Sequence, residues 1–435
     1  MERFLKNQLL MWKDDPLRKV LIIKGARQVG KSFLVRDFGQ EFDEFVEINF
    51  DTDKSFCSFF NATLSPAQII KYLSNTTGKK IIPGKTLLFF DEIQECPDAM
   101  RALRYFYEEM PELHLIAAGS LIDFVLEKIG LPVGRVETLY LYPLSFKEFI
   151  AALHKEHLFG AIDPHTLHTA IPEPIHNELL RLWREYMAVG GMPEVVSVWL
   201  KYQDLQKCRK IQNHLVETFR QDFEKYAGMR QISYVDTLYQ ALPALVGNKF
   251  VFSAVDTTLR ARELRPALEL LRKAGIVHKI THSSSDKLPL QVGIRSGFFK
   301  VILSDVGLMQ AMLDGDITHW LIDDEYKSID IGAVTESFVG QEILAYSNPE
   351  KRAQLFYWAR EKRGSSAELD YVISYKKKVL PIEVKSGKSM RLNSMEIFLK
   401  EKSSSDLGVH ISPLNAELKG KILRIPLYAV YTLFE

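Results

Sequence analysis

The sequence predicts an α/β protein built from more than one domain, and three observations carry that reading. The apolar run Val20-Leu21-Ile22-Ile23 stops short of Gly25, where the pattern G-x-x-x-x-G-K-[ST] begins. Further apolar runs at 45–50, 86–90 and 113–118 alternate with helical patterns. From about residue 331 a second alternation begins, with helices at 331–346 and 392–401 and strand-like runs at 355–358, 368–374 and 379–384. A short continuous apolar run reads as a strand buried on both faces, and strands alternating with helices build a doubly wound sheet.

Composition sets the outer limits. A chain of 435 residues has room for roughly two to four domains. Hydrophobic residues at 46% and charged residues at 26% exclude a mainly disordered protein. Lys and Arg number 56 against 55 Asp and Glu, a formal net charge of +1. That excludes a dominant electrostatic pull toward nucleic acid or an acidic membrane and leaves only local basic patches. The 3 cysteines, Cys57, Cys96 and Cys208, are far apart in sequence and suggest neither a disulfide framework nor a cysteine zinc site. No apolar run approaches the length of about 20 residues that spans a bilayer, and residues 1–15 lack a secretory core. The expectation is a cytoplasmic protein with no membrane partner.

Taken in order, residues 2–13 read as a short amphipathic helix with Phe4, Leu5, Leu9 and Trp12 near one face, broken by Pro16. The four apolar strands follow, and a fifth at 138–142 closes a first domain, 1–143, near Pro143. Residues 144–230 read as helical, with a turn at Gly190-Gly191-Met192-Pro193. Residues 231–290 give helix, helix and then an apolar strand-like end before Ser283-Ser284-Ser285-Asp286, the pattern of a winged helix. Residues 291–435 form the C-terminal α/β domain. His154, His157, His165, His168 and His176 cluster, but Pro164, Pro172 and Pro174 interrupt any shared helix face, so they read as surface residues. Arg260, Arg262, Arg265, Arg272 and Lys273 gather on the second helix of the winged-helix region, either as a phosphate-contacting surface or as a solvated face.

The strongest chemical signal is Gly25-Ala26-Arg27-Gln28-Val29-Gly30-Lys31-Ser32. It lies between a strand and a helix, the setting in which glycines curl the backbone so that successive N–H groups cradle phosphates. Lys31 adds a point charge at the β/γ-phosphates and Ser32 a hydroxyl to Mg²⁺. The run 86–90 ends in Asp91-Glu92. Asp91 can reach the ion held by Ser32, and Glu92 can polarise the water that attacks the γ-phosphate. Ser120 ends the neighbouring run Leu115 to Gly119 and points to the same place. Arg135 is a candidate arginine finger, in cis or from a neighbouring copy.

A second constellation lies at Asp370 and at Glu383-x-Lys385, on two consecutive strand candidates. Glu383 and Lys385 share a face because the strand period is two, and a hairpin can bring Asp370 beside them. Glu336, on the helix at 331–346 (read as amphipathic), can add a further carboxylate. Carboxylates holding Mg²⁺ with a lysine alongside are what metal-dependent phosphodiester cleavage requires. Charges on a solvated strand face are the other reading.

Gly25 to Ser32, Phe90 to Gln94, Ala118-Gly119-Ser120, Gly134-Arg135-Val136, Tyr142 to Phe149 and Gly190 to Glu194 together resemble the AAA-type P-loop ATPases of bacteria and archaea that carry a C-terminal domain of unknown function. Lys300 to Leu308, Gly332 to Leu344, Glu368-Leu369-Asp370 and Pro381 to Lys385 resemble that family's second domain. The C-terminal part is also similar to the PD-(D/E)XK nuclease superfamily, which implies Glu336, Asp370 and Glu383 as metal positions and Lys385 as catalytic. That superfamily includes both nucleases and inactive relatives. The resemblance implies an AAA-type P-loop core, a helical and winged-helix-like middle and a nuclease-like C-terminal domain. It further implies ATP and Mg²⁺ as ligands and ATP hydrolysis. DNA or another nucleic acid, a protein, or further copies of the chain are the partners left open. The alternative function is an ATP-dependent switch or scaffold whose C-terminal domain only binds.

Overall fold

The computed structural model describes residues 1–435 except 131–133, 164–168, 227–228, 315–330, 363, 388 and 403. His165 and His168 therefore lie outside the described residues. Among the described residues the strands form two sheets. The first contains β1 (Val20–Lys24), β2 (Glu44–Asn49), β3 (Thr86–Asp91), β4 (His114–Gly119) and β5 (Val136–Tyr140), all parallel, in the order β2-β3-β4-β1-β5. Alternate residues of β1 enter different cores. Leu21 and Ile23 pack with the helices Leu5–Asp14 and Lys31–Gly39, whereas Val20 and Ile22 pack with Pro66–Thr77 and Pro97–Glu109. This is why β1, β3 and β4 read as unbroken apolar runs: both faces are covered. In the N-terminal helix Leu5, Leu9 and Trp12 are buried as expected, while Phe4 is exposed.

The middle of the chain is helical, with Phe146–Ala152, Glu173–Val189, Pro193–Tyr202, Leu205–Tyr226, Met229–Leu245 and Ala261–Lys273. The last two pack together ahead of a hairpin of β6 (Val277–Ser283) and β7 (Ile294–Leu303). That hairpin straddles residue 290, and both strands belong to the second sheet. Its other strands are β8 (Leu355–Ala359), β9 (Glu368–Tyr375), β10 (Lys378–Val384), β11 (Gly408–Ser412), β12 (Glu417–Lys419) and β13 (Ile422–Pro426), in the order β12-β13-β11-β10-β9-β8-β6-β7.

Two expectations need correction. The helix Ile331–Tyr346 is not amphipathic: every residue from Val334 to Leu344 is buried. The second sheet covers one side, and the helix Val306–Met312 and the turn Leu427–Leu433 cover the other. His176 is not a surface residue. It is buried, with Nδ1 2.7 Å from the Tyr428 hydroxyl, whereas His154 and His157 are exposed. Cys57 and Cys96, distant in sequence, lie near each other as free thiols.

Candidate nucleotide site and the C-terminal carboxylate cluster

β4 lies between β1 and β3, with Lys24 opposite Gly119 and Phe90 opposite Ala117. The register brings the C-terminal ends of all three strands to one edge, where the loop Gly25 to Ser32, the pair Asp91-Glu92 and Ser120 converge. A Cβ on Gly25 would lie 2.2 Å from the Leu141 carbonyl oxygen, and Gly30 has φ +93°, so neither position accepts a larger residue without strain. Gln28 also takes a positive φ of 62°, a local distortion typical of functional loops. The helix Lys31–Gly39 then starts with its amide groups turned toward the loop.

Lys31 is buried and donates to the carbonyls of Ala26 at 2.8 Å and Gly25 at 3.1 Å. Burial pulls its pKa down to about 8, against the opposing pull of Glu92 and Asp91. Asp91 is 2% exposed. Burial raises its pKa, and the nearby Ser32 hydroxyl counters the rise. Hydroxyl and carboxylate are thus neighbours, the donor pair expected for Mg²⁺. Asn49, at the end of β2, donates to the other side of Asp91 at 3.1 Å. Glu92 sits in the left-handed region at φ +49°, and Gln94 Nε2 donates to its carboxylate at 2.5 Å. Ser120 follows Gly119 and lines, with Lys24, Gly25, Tyr140, His278 and Arg352, a small cleft of about 40 Å³.

Arg135 stands elsewhere. Val136 is opposite Val20 and Tyr140 opposite Lys24, so Arg135 lies at the other edge of the sheet. At about 3.3 Å per residue, the strand puts roughly 13 Å between that edge and the loop. There Arg135 Nε pairs with Glu108 at 3.0 Å. The cis half of the arginine-finger expectation therefore fails on geometry.

Several site residues were not singled out from sequence. Arg3 is buried and donates to the Val29 carbonyl at 2.7 Å, the Tyr142 carbonyl at 2.6 Å and Glu148 at 3.0 Å. Asn49 and Gln94 carry no pattern of their own. Arg27, which the loop motif did name, pairs with Asp222 on the helix Leu205–Tyr226. Lys24 pairs with Asp123 at 2.7 Å, and Arg352 reaches the same carboxylate at 3.3 Å. Tyr140 N donates to the Pro349 carbonyl at 2.8 Å. These contacts join the edge carrying the loop to the second sheet's domain.

Residues 17–150 match the family described as an AAA domain. The N-terminal region has the fold of an AAA-type P-loop NTPase. Behind the AAA domain, residues 180–317 match a domain of unknown function, DUF8612, and residues 331–429 match another, DUF4143. No curated protein matches the chain. Similar solved structures include a Walker-type ATPase of Pyrococcus abyssi, 16% identical, covering 72% of this chain and 95% of that one with a TM-score of 0.45. The Orc1 protein of Aeropyrum pernix, solved in complex with DNA, is 13% identical, with 74% and 95% covered and a TM-score of 0.29. A signal-transduction ATPase from Pyrococcus horikoshii with a tetratricopeptide-repeat sensor is 12% identical, with 80% and 46% covered and a TM-score of 0.27. At these scores the likenesses add nothing to the AAA domain match.

In the C-terminal domain, β9 and β10 pair antiparallel, with Pro381 opposite Val372 and Ile382 opposite Tyr371, which carries Glu383 to Asp370. Lys385 Nζ lies 2.7 Å from Glu383, and Val384 N donates to Asp370 at 2.7 Å. Glu336 approaches from its helix. The sequence therefore named four residues that do come together, but it assigned neither Lys300 nor Glu368 to the cluster. Lys300 on β7 puts its ammonium 2.8 Å from Glu368, 3.0 Å from Glu336 and 3.8 Å from Asp370. Burial, reinforced by Asp370, pushes Glu336 up to about 8, and burial also raises Asp370 and Glu383. Burial alone would lower Lys300, but the carboxylates around it reverse the sign and raise its pKa. Among the described residues, no group of three or more His, Cys, Asp or Glu side chains is arranged to hold a metal ion. A cluster already centred on an ammonium does not fit the divalent ion that the nuclease resemblance implies.

Proposed function

We propose that this chain binds and hydrolyses ATP at Gly25 to Ser32 and passes its nucleotide state to the C-terminal domain. The observation that carries the reading is the meeting of the phosphate loop, buried Lys31 and buried Asp91 at one edge of the first sheet, with Glu92 next in the chain. The loop amides and Lys31 hold phosphate oxygens, and Lys31 must leave its own backbone carbonyls to do so. Ser32 and Asp91 would hold Mg²⁺, which supplies charge neutralisation at the phosphates when bound. Glu92, steadied by Gln94, takes the proton of the attacking water, and Ser120 orients that water from β4. Arg135 contributes only from a neighbouring copy, which makes a homo-oligomer part of the proposal.

The output runs through Asp123. This carboxylate follows β4 closely, binds Lys24 at the base of the loop and meets Arg352 from the C-terminal domain, so a shift at the nucleotide moves a contact of the second sheet's domain. Arg260, Arg262 and Arg265 are exposed, while Arg272 pairs with Glu269 and Lys273 with Glu127. The exposed three support nucleic-acid phosphate as the partner class. The test is Mg²⁺-dependent phosphate release. Wild type should turn over ATP, and Glu92→Gln should still bind ATP yet release no phosphate above background. Wild-type release by Glu92→Gln would move the base elsewhere.

A further inference from the structure

The carboxylates of the C-terminal domain meet a cation that the chain itself provides. Lys300 is 2% exposed. Its ammonium lies within 3.0 Å of both Glu368 and Glu336 and 5.5 Å from the centre of the Tyr357 ring. The remaining carboxylate oxygens are partly taken. Asp370 accepts the Val384 amide, Glu383 is held by Lys385, and Lys249 reaches Glu368 at 3.1 Å.

These spacings belong to an ammonium. Its N–H groups donate to carboxylates at about 2.7–2.9 Å, whereas Mg²⁺ and Ca²⁺ draw six or more oxygens to about 2.0–2.6 Å. A divalent ion placed among the same oxygens would face a buried ammonium a few ångströms away, where low polarity leaves the repulsion weakly screened. Removing the lysine would leave several carboxylates crowded together, an arrangement that a cation or protons must offset.

We propose that Lys300 is the resident counter-cation of this cluster, filling the space a divalent ion would otherwise take, so that the C-terminal domain works without a metal as a binding module. This goes beyond the proposed ATP hydrolysis and does not depend on it. Lys300 offsets the charge of Glu368 and Asp370, donates to Glu336, and so ties β7, β9 and the helix Ile331–Tyr346 together.

The test uses the full chain without nucleotide, so that the AAA domain does not contribute a metal complex, and Mn²⁺ alone as the probe, followed by electron paramagnetic resonance. Wild type should bind no Mn²⁺ that Asp370→Asn abolishes. Lys300→Ala should gain one Mn²⁺ per chain, at least tenfold tighter than any wild-type binding, and Lys300→Ala with Asp370→Asn should lose it. The melting temperature of Lys300→Ala should fall and recover on adding Mn²⁺, while that of wild type stays put. Folded Lys300→Ala that binds no more Mn²⁺ than wild type overturns the proposal. Wild-type binding that Asp370→Asn removes also overturns it, and that arm decides the matter if Lys300→Ala does not fold.

Discussion

Arg3 donates from Nη1 to the backbone carbonyl of Val29, 2.7 Å away, and so fixes the middle of the phosphate loop to residues that precede the first helix. The same guanidinium binds Glu148, which caps the helix Phe146–Ala152 through Ser145. One side chain thus sets the loop against the end of the first sheet and the start of the helical region. Removing it leaves Glu148 buried without its cation, a loss of about 3–5 kcal/mol. Arg3→Ala should lower the melting temperature and weaken ATP binding at least tenfold. Arg3→Lys should not restore the wild type, because an ammonium cannot reproduce the fork. Thermal melts and ATP titrations check this, with Glu148→Gln expected to add little on top of Arg3→Ala.

Gln94 holds the carboxylate of Glu92, whose backbone is in a strained conformation. A base kept in place by one amide should lose rate before it loses affinity. Gln94→Ala should reduce kcat on the order of tenfold to 10²-fold, less than the full worth of a general base. KM for ATP should stay close to wild type. A fall in affinity with kcat unchanged would place Gln94 in the binding loop's support instead.

Burial holds Lys31 down to about 8. Phosphate oxygens favour the charged ammonium, so the pKa must rise on binding. Above about pH 8 ATP binding should then take up a proton, and affinity should fall by up to about tenfold per pH unit. Below that point Lys31 is already charged and contributes no pH dependence. Calorimetry in two buffers of different ionisation enthalpy, at pH 7 and pH 9, reads the proton directly. Equal apparent enthalpies at pH 9 would remove Lys31 from the linkage.

Much of this was legible in the sequence, and the reason is periodicity. The strands at 86–90, 355–358, 368–374 and 379–384 and the helix at 331–346 lie where the apolar patterns put them, because burial on two faces or one writes a local signal. Gly25 to Ser32 and Asp91 were readable because a phosphate site needs fixed residue types at fixed spacing. What escaped is non-local. Arg3 meets Val29 and Glu148, and Lys300 meets Glu336 and Asp370, across segments that no local pattern connects. The helix Ile331–Tyr346 was misread because its polar residues, Glu336, Gln341 and Glu342, are buried with partners and imitate a solvated face. Arg135 was placed by motif, but the motif does not say at which edge of the sheet it stands.

Arg135 bears on assembly. If it works from a neighbouring copy, hydrolysis per chain should rise with protein concentration, and dilute Arg135→Ala should match dilute wild type. Mixing Arg135→Ala with Glu92→Gln should recover part of the activity in mixed assemblies. Sedimentation alongside the rate measurement reads both. A strictly monomeric protein with a concentration-independent rate per chain would leave Arg135 with its Glu108 pair alone.

Arg352 ties Asp123 to the C-terminal domain. Arg352→Ala should leave ATP affinity within about twofold, as for a partly exposed ion pair remote from the phosphates. It should nonetheless uncouple the domains. Limited proteolysis with and without ATP is the readout: a nucleotide-dependent change in cleavage of the C-terminal domain in wild type should disappear in the variant.

Nucleotide binding at the phosphate loop is read most directly by titrating Mg²⁺-ATP into nucleotide-free protein. Wild type should bind one ATP per chain, and Lys31→Ala, with its circular dichroism unchanged, should bind at least 10²-fold more weakly, in line with the loss of a buried charge at the phosphates. Equal affinity in a correctly folded Lys31→Ala would place ATP binding outside the loop Gly25 to Ser32.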